Sequence, residues 1–144
     1  MTATALAKHA TPLRDVFERY HVGWETRNPD LIASLHSEDT VFHVHDGSAA
    51  AHDGREALRQ RCIETFKKLD FSFEMGRRLY GDHHWVFEWT MLLALKEPGG
   101  APFTARVEML DVVTVNARGE VARKDVYMNG GEAQAAFARA GIQR

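Results

Sequence analysis

The sequence predicts an α+β domain in which helices pack on one face of a curved antiparallel sheet around an apolar pocket. Three observations carry this expectation. Up to about residue 69, segments with apolar residues at helical spacing flank one short alternating strand. From Phe71 to Met128 the chain changes to four period-two runs separated by turn residues. Within the third of these runs, Val107, Met109, Asp111, Val113 and Val115 share one face, a lone acid on an otherwise apolar surface. A carboxyl there is either held protonated or paired with a specific partner. Alternatively, Asp111 lies at a strand edge or dimer seam and meets water.

The elements follow in order. Residues 1–11 read as a loose tail, and residues 12–144 as a single domain. Thr11 can cap a helix with Pro12 at its first position; Leu13, Val16, Phe17, Tyr20 and Trp24 then form its apolar stripe to about Thr26. Asn28-Pro29-Asp30 breaks it, and Asp30 or Asn28 caps a short second helix through Leu31, Ile32 and Leu35. Thr40 to His45 alternates as a strand, and Gly47 to Gly54 is a small-residue loop. A third helix follows Gly54-Arg55-Glu56, with Leu58, Cys62, Phe66 and Leu69 inward. Strands are expected over Phe71–Leu79, Trp85–Lys96, Phe103–Val115 and Val121–Met128. Gly119 in the last hairpin loop can take a positive φ. A short C-terminal helix from about Glu132 to Ala140 closes the chain. Helices on one face of hairpin-joined strands define the fold class, and inward Phe87 and Trp89, or their neighbour Trp85, make the pocket apolar.

Composition limits the function. The chain has 144 residues, 44% hydrophobic and 26% charged, with a net charge of −2. That is ordinary for a globular domain and gives no electrostatic footprint for nucleic acid or an anionic membrane. No apolar run approaches the ~20 residues of a membrane span, and residues 1–11 lack secretory features. A single cysteine, Cys62, excludes an internal disulfide and fits a reducing compartment. A cytoplasmic protein is expected.

Three segments carry a resemblance: Tyr20 through Asn28-Pro29-Asp30-Leu31-Ile32; Asp53-Gly54-Arg55-Glu56-Ala57-Leu58; and Leu110-Asp111-Val112-Val113-Thr114-Val115-Asn116-Ala117-Arg118-Gly119-Glu120-Val121 through Val126-Tyr127. Over residues 12–130 the chain resembles the NTF2-like superfamily, and within it the SnoaL-like and ketosteroid-isomerase-like group. The resemblance implies a cone-shaped fold with three helices, no cofactor and a homodimer formed through the outer sheet face. The isomerases of this group use a tyrosine and a protonated aspartic acid as an oxyanion hole, with an aspartate on the first strand as base. Position by position, Tyr20 falls on the tyrosine and Asp111 on the protonated acid. The base position falls on His45, or on Val44 if aligned without a gap. Asp46 is expected on the face opposite Val44 unless the strand bulges. His36 and Cys62 fall where the group carries further hydrogen-bonding tyrosines.

The acid half of that pattern is present and the base half is changed, since an imidazole can also move a proton near neutral pH. Asp111, Tyr20 and His45 are therefore the expected catalytic residues. Trp24, His36, Cys62, Phe87, Trp89, Met109, Val126 and Met128 are the expected contacts of a small apolar ligand. The function expected is acid–base chemistry on a carbonyl compound by isomerisation, cyclisation or dehydration. A non-catalytic ligand-binding or dimerisation module is the second reading, and an epoxide hydrolase the third.

Other residues have structural readings. His43 and His45 share a strand face at a spacing that could serve a metal, but no further ligand pattern supports a site, and none is expected. Arg106 and Glu108 form an expected surface pair. Cys62 reads as a buried small hydrophobe. Lys124 falls on the pocket side by parity, although a lysine can also reach the rim.

Overall fold

A computed structural model describes residues 11–47 and 51–143. The expected tail therefore lies outside the described residues except for Thr11, as does most of the Ala49-Ala50-Ala51 loop. Helix α1 (Leu13–Glu25) leads through Arg27 into α2 (Pro29–Ser34), then β1 (His36–His45), the short β2 (His52–Asp53) and α3 (Arg55–Lys68). The strands β3 (Asp70–Tyr80), β4 (His84–Lys96), β5 (Pro102–Val115) and β6 (Val121–Met128) follow as a meander, and α4 (Gly130–Arg139) is the last described element.

The six strands form one sheet in the order β2-β1-β6-β5-β4-β3. All neighbours are antiparallel except β1 and β6, which run parallel. The expected curved antiparallel sheet is present, with the β1–β6 seam its one parallel pairing. Period two orients the faces. In β4, Trp85, Phe87, Trp89, Met91 and Leu93 are buried, and in β5 the buried set is Val107, Met109, Asp111, Val113 and Val115. Helix α1 lays Val16, Phe17, Tyr20 and Trp24 against this inner face.

The sheet bends where its ladders slip. The β3–β4 register shifts between Met75 and Arg78, at Gly76, where a Cβ would overlap the Glu88 carbonyl oxygen. Such a bulge needs glycine because the partner backbone occupies the side-chain position. Arg27, at φ 54, anchors the turn between α1 and α2. Its guanidinium donates to the carbonyls of Phe66 at 2.6 Å and Leu69 at 2.8 Å, satisfying the open C-terminal end of α3.

One local detail differs from the sequence expectation, and two others follow it. Pro12 occupies the N-cap of α1 with no side-chain hydrogen bond, so Thr11 does not cap. For α2, Asn28 is the cap, accepting from the Leu31 N–H at 3.1 Å. Helix α4 is the C-terminal helix expected from about Glu132, a fourth beside the three of the family cone. It sits where β6 stops: the Asn129 N–H donates to the Glu108 carbonyl and the Glu108 N–H to Glu132 Oε1, both at 2.8 Å.

Candidate active site

The inner face of the sheet, α1 and α4 enclose a cavity of about 120 Å³. Its wall is aromatic and aliphatic, with Trp24, Phe87, Trp89, Met109, Val126 and Met128 among the lining residues. These six expected contacts are brought together. Tyr20, His21, Asp111 and Lys124 are polar residues of its wall, Arg61 and Thr65 join them from α3, and Asp46 lines both this cavity and the wider cleft outside it.

Asp111 is 4% exposed. Its Oδ1 accepts from Trp89 Nε1 at 3.0 Å, and its Oδ2 lies 3.5 Å from Lys124 Nζ. Burial pushes the carboxyl above its ordinary range, against the attraction of Lys124 and the Trp89 hydrogen bond. Lys124 is 5% exposed, with Nζ 4.1 Å from the centroid of the Trp24 ring and 3.5 Å from the Tyr20 hydroxyl. Burial lowers its ammonium pKa, and Asp111 opposes that shift. The side-chain parity seen in the sequence is therefore realised, and the lysine turns inward. Lys124 is the residue the sequence reading left out of the site. Its signal was its shared face with Val126 and Met128.

Tyr20 belongs to a chain of directed hydrogen bonds. The Thr40 hydroxyl donates to the Val121 carbonyl at 3.2 Å, so its oxygen accepts from His36 Nδ1 at 2.8 Å. Burial, with Lys124 and Arg55 nearby, holds His36 far below its ordinary pKa and hence neutral. Its other nitrogen, Nε2, is then an acceptor, and the Tyr20 hydroxyl donates to it at 2.8 Å. The Tyr20 proton is thus committed away from the cavity, and the oxygen is left to accept from Lys124. Where the sequence expects an oxyanion donor, the Tyr20 hydroxyl is engaged with His36 at 2.8 Å. His36 itself lies behind Tyr20 rather than among the lining residues, and so does the fully buried Cys62. Burial pushes the Cys62 thiol up to about 12, which leaves it protonated.

His45 does not share the cavity with Asp111. On β1, Phe42 and Val44 face inward, Asp46 just past the strand's end lines the same cavity, and His45, one residue out of step, turns to the outer sheet face. There its Nε2 donates to Asp125 Oδ1 at 2.8 Å, and its ring stacks on Tyr127 at 4.2 Å and His43 at 3.8 Å. The expected positions of His45 and Asp46 are therefore exchanged, because residues two apart on a strand share a face. The ligand atoms of His43, His45 and Asp125 lie within 4.8 Å of one another. Asp125 already accepts from two Arg123 nitrogens, at 2.8 and 3.0 Å, as well as from His45, and His43 joins them by stacking on the His45 ring. Arg106 pairs with Glu74 of β3 rather than with Glu108.

This arrangement of sheet, helices and buried polar pair can be compared with known proteins. The SnoaL-like domain matches residues 17–124. The chain belongs to the SnoaL-like domain family. No match was found among curated proteins. Solved structures share the fold. One is a protein of ketosteroid isomerase-like fold from Catenulispora acidiphila, solved with trimethylamine, at TM-score 0.71 and 18% identity over 89% of this chain and 93% of that one. A second, from Shewanella denitrificans, is described provisionally as a SnoaL-like polyketide cyclase, at TM-score 0.73 and 8% identity over 87% and 96%. A third is an epoxide hydrolase/cyclase-like enzyme of pyran ring formation in the polyether salinomycin, at TM-score 0.67 and 14% identity over 92% and 97%. These structures share the cone fold with this chain. No helix among its described residues is long and apolar enough to cross a membrane.

Proposed function

We propose that this SnoaL-like protein is a cofactor-independent acid–base enzyme acting on a small, largely apolar aldehyde or ketone, in a reaction of the isomerase, cyclase or dehydratase type. The observation that carries the proposal is the Asp111–Lys124 pair, 3.5 Å apart and buried in an aromatic-walled cavity. Burial favours moving one proton from the ammonium to the carboxylate, while their attraction favours the ion pair. Either arrangement offers a carbonyl oxygen a strong donor: the ammonium in one, the carboxylic acid in the other. Such a donor gains strength as negative charge develops on the substrate oxygen in a dry site. Asp46, at the junction of cavity and cleft, takes the role of base in place of His45. A cavity of about 120 Å³ suits a single small ring, since an apolar cavity of roughly 150 Å³ takes up benzene.

Exchange of α-hydrogens of cyclopentanone in D₂O, followed by NMR, tests the proposal. The native protein is expected to accelerate exchange over buffer. Asp111→Leu should lose about 100-fold or more, and Asp111→Asn should retain part of the rate. Undiminished exchange in Asp111→Leu would overturn the role of Asp111. The small cavity also favours the second reading, a binding module without turnover. Cyclopentanone binding by calorimetry with no exchange would select it. For assembly, we propose a homodimer through the outer sheet face, where Tyr127 is 42% exposed. Tyr127→Glu should then shift sedimentation toward the monomer.

A further inference from the structure

We propose that Lys124 is a covalent site, forming an imine with small aldehydes and ketones that enter the cavity. The inference deepens the acid–base reading of the same cavity and rests on it for its substrate class.

The geometry supports a nucleophilic amine. Lys124 Nζ is on the cavity wall and buried, with its contacts long: 3.5 Å to Asp111 and 3.5 Å to Tyr20. A tight ammonium–carboxylate hydrogen bond is about 2.7–2.9 Å, so neither partner clamps the nitrogen. Tyr20 offers it only an acceptor, because the tyrosine proton is spent on His36. The face of Trp24 lies beneath it. The titratable groups around it come from each packed element: Tyr20 and His21 from α1, His36 from β1, Cys62 from α3 and Asp111 from β5. Of these, Tyr20, His21, His36 and Cys62 are held uncharged by burial. Asp111 is the acid paired with Lys124, at 3.5 Å, and can both take up and return a proton, while Asp46 and Arg61 line the same cavity. Desolvation lowers the ammonium pKa, as it does for amine nucleophiles in apolar pockets.

The step balances with these two residues alone. The Lys124 ammonium passes a proton to the Asp111 carboxylate. The Nζ lone pair forms a bond to the carbonyl carbon as the carbonyl π pair moves to oxygen, which takes the proton from Asp111. The nitrogen returns a proton to Asp111, leaving a neutral carbinolamine. The C–O bond then breaks, the oxygen leaves as water with the Asp111 proton, and the nitrogen lone pair closes the C=N bond. Lys124 is left as an iminium beside the Asp111 carboxylate. One water has been released and nothing is oxidised or reduced. The iminium acidifies the α-carbon, so proton removal by Asp46 gives an enamine.

Trapping tests this on the native chain. The protein is incubated near pH 7 with cyclopentanone or butanal and cyanoborohydride, and the sites are read by intact mass and peptide mapping. Lys67, Lys68 and Lys96 are exposed and serve as internal references. Lys124 is expected to be alkylated at least tenfold faster than these three, the fast phase to vanish in Lys124→Arg, and to slow in Asp111→Asn. Labelling confined to the exposed lysines of the folded native protein would overturn the proposal, with no variant needed. The outcomes separate the two readings. Ketone exchange without trapping at Lys124 sinks the imine and leaves acid–base chemistry standing. Trapping at Lys124 without exchange keeps the imine and removes the enolising enzyme.

Discussion

Tyr20 and His45 are the residues whose chemistry depends most on where a single proton or a single side chain points. Because the Tyr20 proton is directed to His36, Tyr20→Phe removes a buried hydrogen bond and strands an acceptor. A loss of about 1–3 kcal/mol in stability is expected by denaturant unfolding, with ketone exchange falling less than tenfold. A loss of about 100-fold or more at unchanged stability would restore Tyr20 as a direct oxyanion donor. His45→Ala should leave exchange intact, whereas Asp46→Asn should reduce it by about 100-fold or more. The reverse order would return the base to His45. Asp111 was legible because period two on a long uninterrupted strand leaves no doubt about its face, and the same parity pointed to Lys124. β1 was harder. Its pairing with β6 shifts register between His36 and Val41, and an alignment gap of one residue decides between the faces of a strand. The direction of the Tyr20 hydroxyl was not legible, because it is fixed by Thr40 and by the Val121 carbonyl, 81 residues further along the chain.

At the level of the element, the bend that opens the cavity depends on Gly76. In sequence, Phe71 to Leu79 reads as one regular strand, because a register slip belongs to two paired strands and not to either alone. The glycine marks where the slip occurs, opposite Glu88. A Cβ there meets backbone, which cannot rotate away. Gly76→Ala is therefore expected to cost about 2 kcal/mol or more and to lower Tm by roughly 5 °C or more, read by calorimetry. An unchanged Tm would mean that β3 can re-register without strain. The strands and the three expected helices were legible from periodicity and turn residues. The C-terminal helix was legible too, but its seat was not, because that seat is the backbone of Glu108 left open by the end of β6.

At the level of the whole molecule, packing α1 on the curved sheet buries groups with opposing responses to acid. His21 stacks on Phe17 at 5.4 Å and lies edge-on to Phe73 and Phe87 at 4.7 and 5.4 Å. Burial lowers its pKa from 6.5 to about 4, opposed by Glu25 at 2.9 Å and assisted by Lys124 and Arg78. Between those values the unfolded chain binds a proton that the folded chain does not, so stability falls as pH drops from 6.5 toward 4. The full effect is about 3 kcal/mol at most. His36 is lowered too, and contributes with the same sign. Asp111 acts against them. Its folded pKa is raised, so above 3.8 the folded chain takes up a proton before the unfolded one, and acidification through that window stabilises the fold. Urea unfolding across pH 4–7 should therefore show a shallower acid loss in His21→Phe than in the native chain and a steeper one in Asp111→Asn. If both variants parallel the native curve, neither group carries its shifted proton in the folded state, and the charge state assigned to the cavity would have to be redrawn.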